Sequence, residues 1–295
     1  MSARAALERD GYVVVRGVVS GEYLARVIAD FERHTGARID DSTSWRALAA
    51  RHQFGFVRMY HPQSLWDVRQ HPGLHHAFAA VLGTEELSVN IDGLSARPPA
   101  TAVANPDETD GFIHWDRLRF TQSPTGVTSD PSKAPDVDVF VQGVLALVDT
   151  DETMGGFQCV PEIYRHLDDW VAAQPDDWDP RAPTLDGYAV EPVPLRAGDL
   201  CIWSSRLPRG AGTNTSDRLR LAQYVTMSPA ANQPDRRRLQ RIDAWRNRRA
   251  FEPSGPPAPY DESHLPVAHL TDHGRRLIGL DPWPPTHSEQ HALSS

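Results

Sequence analysis

Apolar residues in this chain recur at helical spacing in its first third and at strand spacing through its middle. Tyr23, Leu24, Val27, Ile28 and Phe31 lie three and four apart, which predicts an amphipathic helix with Ser20 as its N-cap. The β-branched run Tyr12-Val13-Val14-Val15, entered through the turn Asp10-Gly11, predicts a short strand ahead of it. Leu74, Phe78 and Val81 predict a helix over residues 73–82, and residues 87–97 alternate as a strand does. From about residue 111 the pattern is β-rich. Gly111 to Phe120 can be one strand. Asp136 to Asp149 reads as a long one, in which Val137, Val139, Val141, Leu145 and Leu147 alternate with Phe140, Val144 and Val148. Both faces of that strand are apolar, so it is expected at the centre of a sheet. Further strands are expected at Phe157 to Val160, Leu200 to Trp203 and Leu219 to Met227, with turns at Met154-Gly155-Gly156 and Ala197-Gly198-Asp199. Ile163 to Ala172 reads as a helix, and residues 174–194, rich in Pro and Asp, as a long surface loop of the kind that often serves a site.

Helices first, then short antiparallel strands, predict a mainly β fold with flanking helices: a jelly roll wrapped by helices. The expected organisation is one such domain over residues 1–230 and a helical, Pro-rich extension over 231–295 packed on it. Within the extension, residues 235–249 form a predicted amphipathic helix with a basic face, Leu239, Ile242 and Trp245 being its apolar stripe. A solvated helix packed on the main domain is the expected reading of it, with phosphate binding as the alternative. Leu270 to Leu280 reads as a short terminal helix.

Composition narrows the function. A formal charge of -9 argues against a nucleic-acid partner. No apolar run approaches 18 residues, so no membrane span is expected. Residues Met1 to Asp10 turn polar too early for a signal core, and two cysteines, Cys159 and Cys201, build no disulfide framework. A cytoplasmic protein with buried structural thiols is expected. Gly-x-Ser-x-Gly, Walker A and dinucleotide-type glycine motifs do not occur. His75-His76 is expected at the surface of its helix.

The candidate chemistry centres on Gly111-Phe112-Ile113-His114-Trp115-Asp116. On a strand, residues i and i+2 share a face, so His114 and Asp116 project together while Ile113 and Trp115 face away. An imidazole and a carboxylate so placed are two corners of the 2-His-1-carboxylate triad that holds non-haem iron. Around them stand the Asp10-Gly11-Tyr12-Val13-Val14 opening, Gly155-Gly156-Phe157-Gln158-Cys159-Val160-Pro161, Ala197-Gly198-Asp199-Leu200 and Asn214-Thr215-Ser216-Asp217-Arg218. Taken together, over residues 8–228, these resemble the phytanoyl-CoA dioxygenase family of Fe(II)/2-oxoglutarate-dependent oxygenases. The resemblance implies a double-stranded β-helix (cupin-like) fold. It also implies Fe(II) on His114 and Asp116, 2-oxoglutarate as co-substrate, and oxidation of a small organic molecule. The family's arginine, 11 positions after the second histidine, pairs with the far carboxylate of 2-oxoglutarate, and here that count reaches Arg220. Arg220, Ala222 and Tyr224 would share a face, and a guanidinium fork suits a carboxylate.

At the second histidine's own position, before Gly210, stands Arg209. Arginine stays protonated and has no lone pair for a metal. Three readings follow. Iron could bind with a third ligand from elsewhere, Ser204 or His166, while Arg209 swings outward; this is the reading the family's habit favours. Alternatively Arg209, the candidate catalytic residue, takes the metal's place beside Asp116, and the pocket holds a carboxylate between Arg209 and Arg220 for binding or a redox-neutral step. In the third, the site is inactive. Ala211 and Gly212 would let the backbone approach a co-substrate, and Asn214 would orient the turn after them. Trp115, Arg119 and loop 174–194 are candidates for shaping the substrate pocket.

Overall fold

The computed structural model describes residues 1–46, 48, 55–103, 111–115, 120–123, 126–129, 140–175, 178–179, 182–251 and 262–284. Helix α1 (Ala3–Asp10) stops at Gly11, whose φ of 79° turns the chain into β1 (Tyr12–Val15). Helix α2 (Gly21–Thr35) buries Leu24, Val27 and Phe31, as their spacing predicts, although the Ser20 side chain makes no cap bond. The larger sheet adds β2 (Phe56–Val57), β4 (Leu94–Arg97), β8 (Val141–Ala146), β11 (Leu200–Ser204) and β13 (Arg220–Val225) in the order β1-β11-β8-β13-β4-β2. Its pairings are antiparallel. Strand β8, apolar on both faces, sits inside this sheet as expected. The smaller sheet has the order β10-β9-β12-β5, formed by β5 (Phe112–His114), β9 (Phe157–Cys159), β10 (Glu191–Pro192) and β12 (Arg209–Ala211).

Period-two alternation assigns each face of these sheets its own core. Val141, Leu145, Leu200, Ile202 and Leu221 face outward and pack with Val27, Phe31, Leu65, Leu74 and Phe78 of the helices α2, α3 (Gln63–Arg69) and α4 (Pro72–Leu82). Burying each such side chain contributes about 2 kcal/mol. Val144, Ala146, Cys201, Trp203 and Ala222 face inward and meet Phe157 and Cys159 of the smaller sheet. Ile113 and Trp115 face out from the smaller sheet and pack under α5 (Pro161–Arg165) and α6 (Leu167–Ala172). Two facing antiparallel sheets clad in helices are the double-stranded β-helix, or jelly roll.

Several elements depart from the sequence reading. Residues 87–97 are two strands in different sheets: β3 (Leu87–Val89) pairs with β14 (Met227–Pro229), and β4 joins the larger sheet. Arg69 captures the Asp92 carbonyl at 2.6 Å, and any Cβ on Gly93 would lie 2.7 Å from the Val57 carbonyl, so the chain kinks between them. The stretch from Leu219 to Met227 divides likewise at Thr226, whose carbonyl accepts from the Asn90 N–H at 2.9 Å. The helix expected over 163–172 is broken at His166 into α5 and α6. Strand β5 ends at His114; residues 116–119 and 130–139 lie outside the described residues, and β6 (Phe120–Ser123) pairs with β7 (Gly126–Ser129) as a separate ribbon.

Beyond the barrel, α7 (Asp235–Asn247) and α8 (Asp272–Ile278) contribute Ala244, Leu277 and Ile278 to the helix-layer core. The expected apolar stripe of α7 is rotated: Leu239 is exposed, while Arg241 and Ala244 are buried. Arg238 donates to the Gly279 carbonyl at 3.1 Å and Arg248 to that of Ser263 at 2.9 Å, so part of the basic face ties the C-terminal segment together. His75, expected at the surface, is buried, with Nε2 2.8 Å from the Glu85 carbonyl and its ring stacked on Trp283. Among the described residues no helix is long and apolar enough to cross a membrane.

Candidate functional site

Directly paired residues of an antiparallel ladder point to the same face. Arg209 pairs with Cys159 on one side and His114 on the other. Cys159 lies in the inter-sheet core with Trp203 and Val144, so all three side chains face the inside of the barrel. The next row, Phe112, Ala211 and Phe157, faces the same way, and the Phe112 ring stacks on His114 with centroids 4.8 Å apart. His114 therefore lines the interior, as alternation predicts. Asp116 and Arg119 lie outside the described residues. Trp115 faces out: it is 2% exposed, donates its ring N–H to the Arg206 carbonyl at 2.9 Å, and packs on Trp170 and Trp178. Trp178, Leu185 and Tyr188 of loop 174–194 join that outer cluster. The expectation that Trp115 and these loop residues shape the pocket is thus corrected: they brace the back of the sheet.

Arg209 is 3% exposed and points inward. Its guanidinium donates to the His114 carbonyl at 2.8 Å and to Gln142 Oε1 at 3.1 Å. Gln142 belongs to β8 in the opposite sheet, so this side chain spans the barrel. The outward swing that an intact iron site requires does not occur. Neither proposed replacement ligand reaches the interior. Ser204 shares the helix-facing side of β11 with Leu200 and Ile202, and its hydroxyl accepts from the Arg206 N–H at 3.2 Å. His166 is exposed at the α5–α6 junction. Among the described residues no three His, Cys, Asp or Glu side chains gather to hold a metal. Among the described residues, one inward imidazole stands beside a buried cation in the second histidine's place, and that pair does not fit Fe(II): arginine offers no donor there and its charge opposes the ion.

The 2-oxoglutarate half fits better. Arg220, 3% exposed, shares the inner face with Ala222 and Tyr224, as expected. It donates to Ser95 Oγ at 2.6 Å and bonds the Tyr224 side chain; among the described residues no carboxylate pairs with it. Directly opposite on β4 stands Arg97, also buried, which donates to the Gly212 carbonyl at 3.0 Å. Burial, and then the charge of Arg220, push Arg97 down to about 10. Burial likewise lowers Arg220, with Tyr224 opposing the shift. Arg97 stays charged at neutral pH, and like charges directly opposite destabilise a sheet.

Sequence reasoning missed Arg97. Its signal was a charge closing the otherwise uncharged, fully buried run Leu94-Ser95-Ala96, obscured by reading residues 87–97 as one strand. Gly212, expected to admit a co-substrate, instead packs against a neighbouring loop: a Cβ on Gly155 (φ 66°) would come within 2.6 Å of its carbonyl. Asn214 orients the following turn as expected, donating to the Arg97 and Arg218 carbonyls at 2.8 Å each.

The two thiols lie within the inter-sheet core, Cys201 on β11 and Cys159 on β9. Burial raises both well above the usual thiol range, which matches inert structural residues.

Comparison with known proteins places this geometry. The chain is 24% identical over 257 residues to the Ava biosynthesis cluster protein O of Aspergillus versicolor, covering 77% of each. Among solved structures it resembles the hypothetical protein JW0805 of Escherichia coli (TM-score 0.64, 16% identity, 94% of this chain and 81% of that one). It also resembles the epimerase SnoN in complex with Fe3+, alpha ketoglutarate and nogalamycin RO (TM-score 0.51, 20% identity, 77% and 82%). At such identities these structures share the fold. The family model for phytanoyl-CoA dioxygenase matches residues 7–222, which spans both sheets, His114, Arg209 and Arg220, and the chain belongs to the phytanoyl-CoA dioxygenase family.

Proposed function

We propose that this chain is an oxygenase-lineage protein that keeps the 2-oxoacid site of its barrel and has given up the three-ligand iron site. Arg220 would bind the far carboxylate of 2-oxoglutarate or a similar dicarboxylate, with Ser95 and Tyr224 setting its direction. Arg209 would supply, in place of the metal, a fixed positive charge for the other end of the ligand. The observation that carries this reading is the inward Arg209 guanidinium, held between the His114 carbonyl and Gln142. A buried cation polarises a carbonyl or steadies a carboxylate, so the chemistry open to such a site is binding or a redox-neutral step on a small organic acid. The test is a thermal melt of purified protein with 2-oxoglutarate and a chelator. The ligand should raise the melting temperature without metal, and Arg220→Met should abolish the rise. A rise that needs added Fe(II) would overturn the reading.

A second reading is supported by the family itself and by the inward His114. In it, His114 and Asp116 hold Fe(II), and the protein hydroxylates or otherwise oxidises a small organic molecule with 2-oxoglutarate as co-substrate. An oxygenase- or epimerase-type activity accords with the SnoN neighbour, which binds Fe3+ and alpha ketoglutarate. The readings separate under anaerobic conditions: only an iron site develops visible metal-to-ligand absorption when Fe(II) and 2-oxoglutarate are combined.

A further inference from the structure

Two large aromatic rings at the barrel's inner rim stand open. Phe56 is 51% exposed and Phe112 is 37% exposed, yet both occupy inner-face register positions. Phe56 lies opposite Ser95, the residue that receives Arg220, and its ring stacks on Tyr224 with centroids 5.5 Å apart and planes 27° apart. Phe112, from the other sheet, stacks on His114, and the Arg97 guanidinium lies 5.9 Å from its ring centre. Ser95 and Arg97 are alternate residues of β4, so the short row they form carries one exposed ring at each end and the Arg220 guanidinium beside it. Each ring also touches a side chain of the acid site itself, Tyr224 or His114.

Exposed aromatic faces accept flat partners, whose rings stack in an offset or tilted manner. Buried guanidinium groups behind them create a positive potential that favours anions and rejects cations. We propose that the primary substrate is an acid bearing a flat, unsaturated ring, the ring lying against Phe56 and Phe112 and the carboxylate drawn toward Arg97, with Arg220 left to 2-oxoglutarate. The inference rests on the reading of Arg220 as a carboxylate anchor and adds to it the class of the second ligand. A purely aliphatic acid would satisfy the charge and forgo the stacking; a neutral aryl compound would do the reverse.

Isothermal titration of the full chain, saturated with 2-oxoglutarate, distinguishes these cases with three probes: cinnamate, its neutral amide, and the saturated-ring acid cyclohexanepropionate. Cinnamate should bind at least tenfold more tightly than the amide and at least threefold more tightly than the saturated acid. Phe56→Ala and Phe112→Ala, both at open positions, should each weaken cinnamate three- to tenfold and leave 2-oxoglutarate within twofold. Equal binding of cinnamate and either comparison probe overturns the inference, as does no binding of cinnamate. If 2-oxoglutarate fails to bind while cinnamate keeps both preferences, the 2-oxoacid reading falls and the aryl-acid site stands. If 2-oxoglutarate binds and cinnamate does not, the opposite holds.

Discussion

Replacing Arg209 by histidine isolates what the guanidinium does. Its bonds to the described residues include one at 2.8 Å to the His114 carbonyl and one at 3.1 Å to Gln142 Oε1. A hydrogen bond from a charged donor contributes about 1.5–3 kcal/mol. An imidazole is too short to span the sheets, so both are lost and the half-buried Gln142 gives up this partner. The metal-free variant should therefore be less stable by about 2–4 kcal/mol in urea unfolding. Metal affinity should move the other way. A unit charge about 4 Å from another contributes about 4 kcal/mol of repulsion at an effective dielectric near 20, about three powers of ten in affinity. The substitution removes that repulsion and places a second imidazole directly across from His114 on the inner face. Anaerobic equilibrium dialysis with Fe(II), or Co(II) as a visible probe, should show binding at least a thousandfold tighter than in the parent. A parent protein that retains one iron per chain at micromolar free metal would refute this reasoning, and so would a variant that binds no better.

Three other outcomes follow from other buried residues. Arg220→Met should remove the 2-oxoglutarate-induced rise in melting temperature while changing the stability of the ligand-free protein by less than about 1 kcal/mol, because a buried cation replaced by an apolar side chain also sheds its desolvation cost; calorimetry with and without ligand checks both halves. His61 is 1% exposed, and burial pushes its imidazole down to about 4 despite its 2.7 Å contact with the Arg249 carbonyl. The folded state holds this ring neutral, whereas the unfolded chain takes up a proton below about 6.5. Its contribution is thus fully present above pH 6.5 and is lost as pH falls toward 4, by about 3 kcal/mol, and His61→Phe should flatten the urea-stability profile across that window. Gly210→Ala tests the register itself: a Cβ there would sit 1.5 Å from the Phe112 carbonyl, so β12 and β5 cannot keep their pairing. A loss of at least about 3 kcal/mol is expected, and an alanine variant of parental stability would mean that the strands pair differently.

How far the sequence could be read depended on whether period or context decided the outcome. The inner face was legible because alternation is a local property: His114 on β5 and Arg220, Ala222 and Tyr224 on β13 fall where period two assigns them. Strand β8 was legible because a central strand is apolar on both sides. Residues 87–97 were not, because the kink near Asp92 is imposed by Arg69 and the Val57 carbonyl, both distant in sequence. The α7 stripe was legible only in part for a similar reason: Trp245 packs on the core, whereas Leu239 is exposed. Leu239, Ile242 and Trp245 have the right spacing, yet the helix turns Arg241 inward, where its guanidinium meets Gln233 and the Phe251 ring. Arg209 shows the limit most plainly. Alternation gives its face, but where the guanidinium ends depends on partners distant in sequence, among them Gln142 of the opposing sheet.

Three inner-face arginines among the described residues bear on how ligand and fold are coupled. Arg97, Arg209 and Arg220 come from three strands, β4, β12 and β13, and from both sheets. Burying each charge costs several kcal/mol, and apolar side chains of like size would serve stability as well or better. Under the 2-oxoacid reading, an anionic ligand gives such inner-face charges a role that packing alone does not. Two of them also bridge the barrel: Arg209 joins β12 to Gln142 on β8, and Arg97 joins β4 to the Gly212 carbonyl just after β12. Each bridge ends at one edge or the other of β12, a strand of three residues that carries Arg209 itself. An anion beside Arg97 and Arg220 relieves their mutual repulsion and, through the Arg97 bridge to Gly212, strengthens the association of the two sheets along that strand. Amide hydrogen exchange should accordingly slow most at Gly210 and Ala211 when 2-oxoglutarate binds, by about tenfold for each 1.4 kcal/mol of local stabilisation. Uniform slowing over the whole chain would instead mean that ligand binding raises global stability without tightening the seam that Arg209 and Arg97 hold.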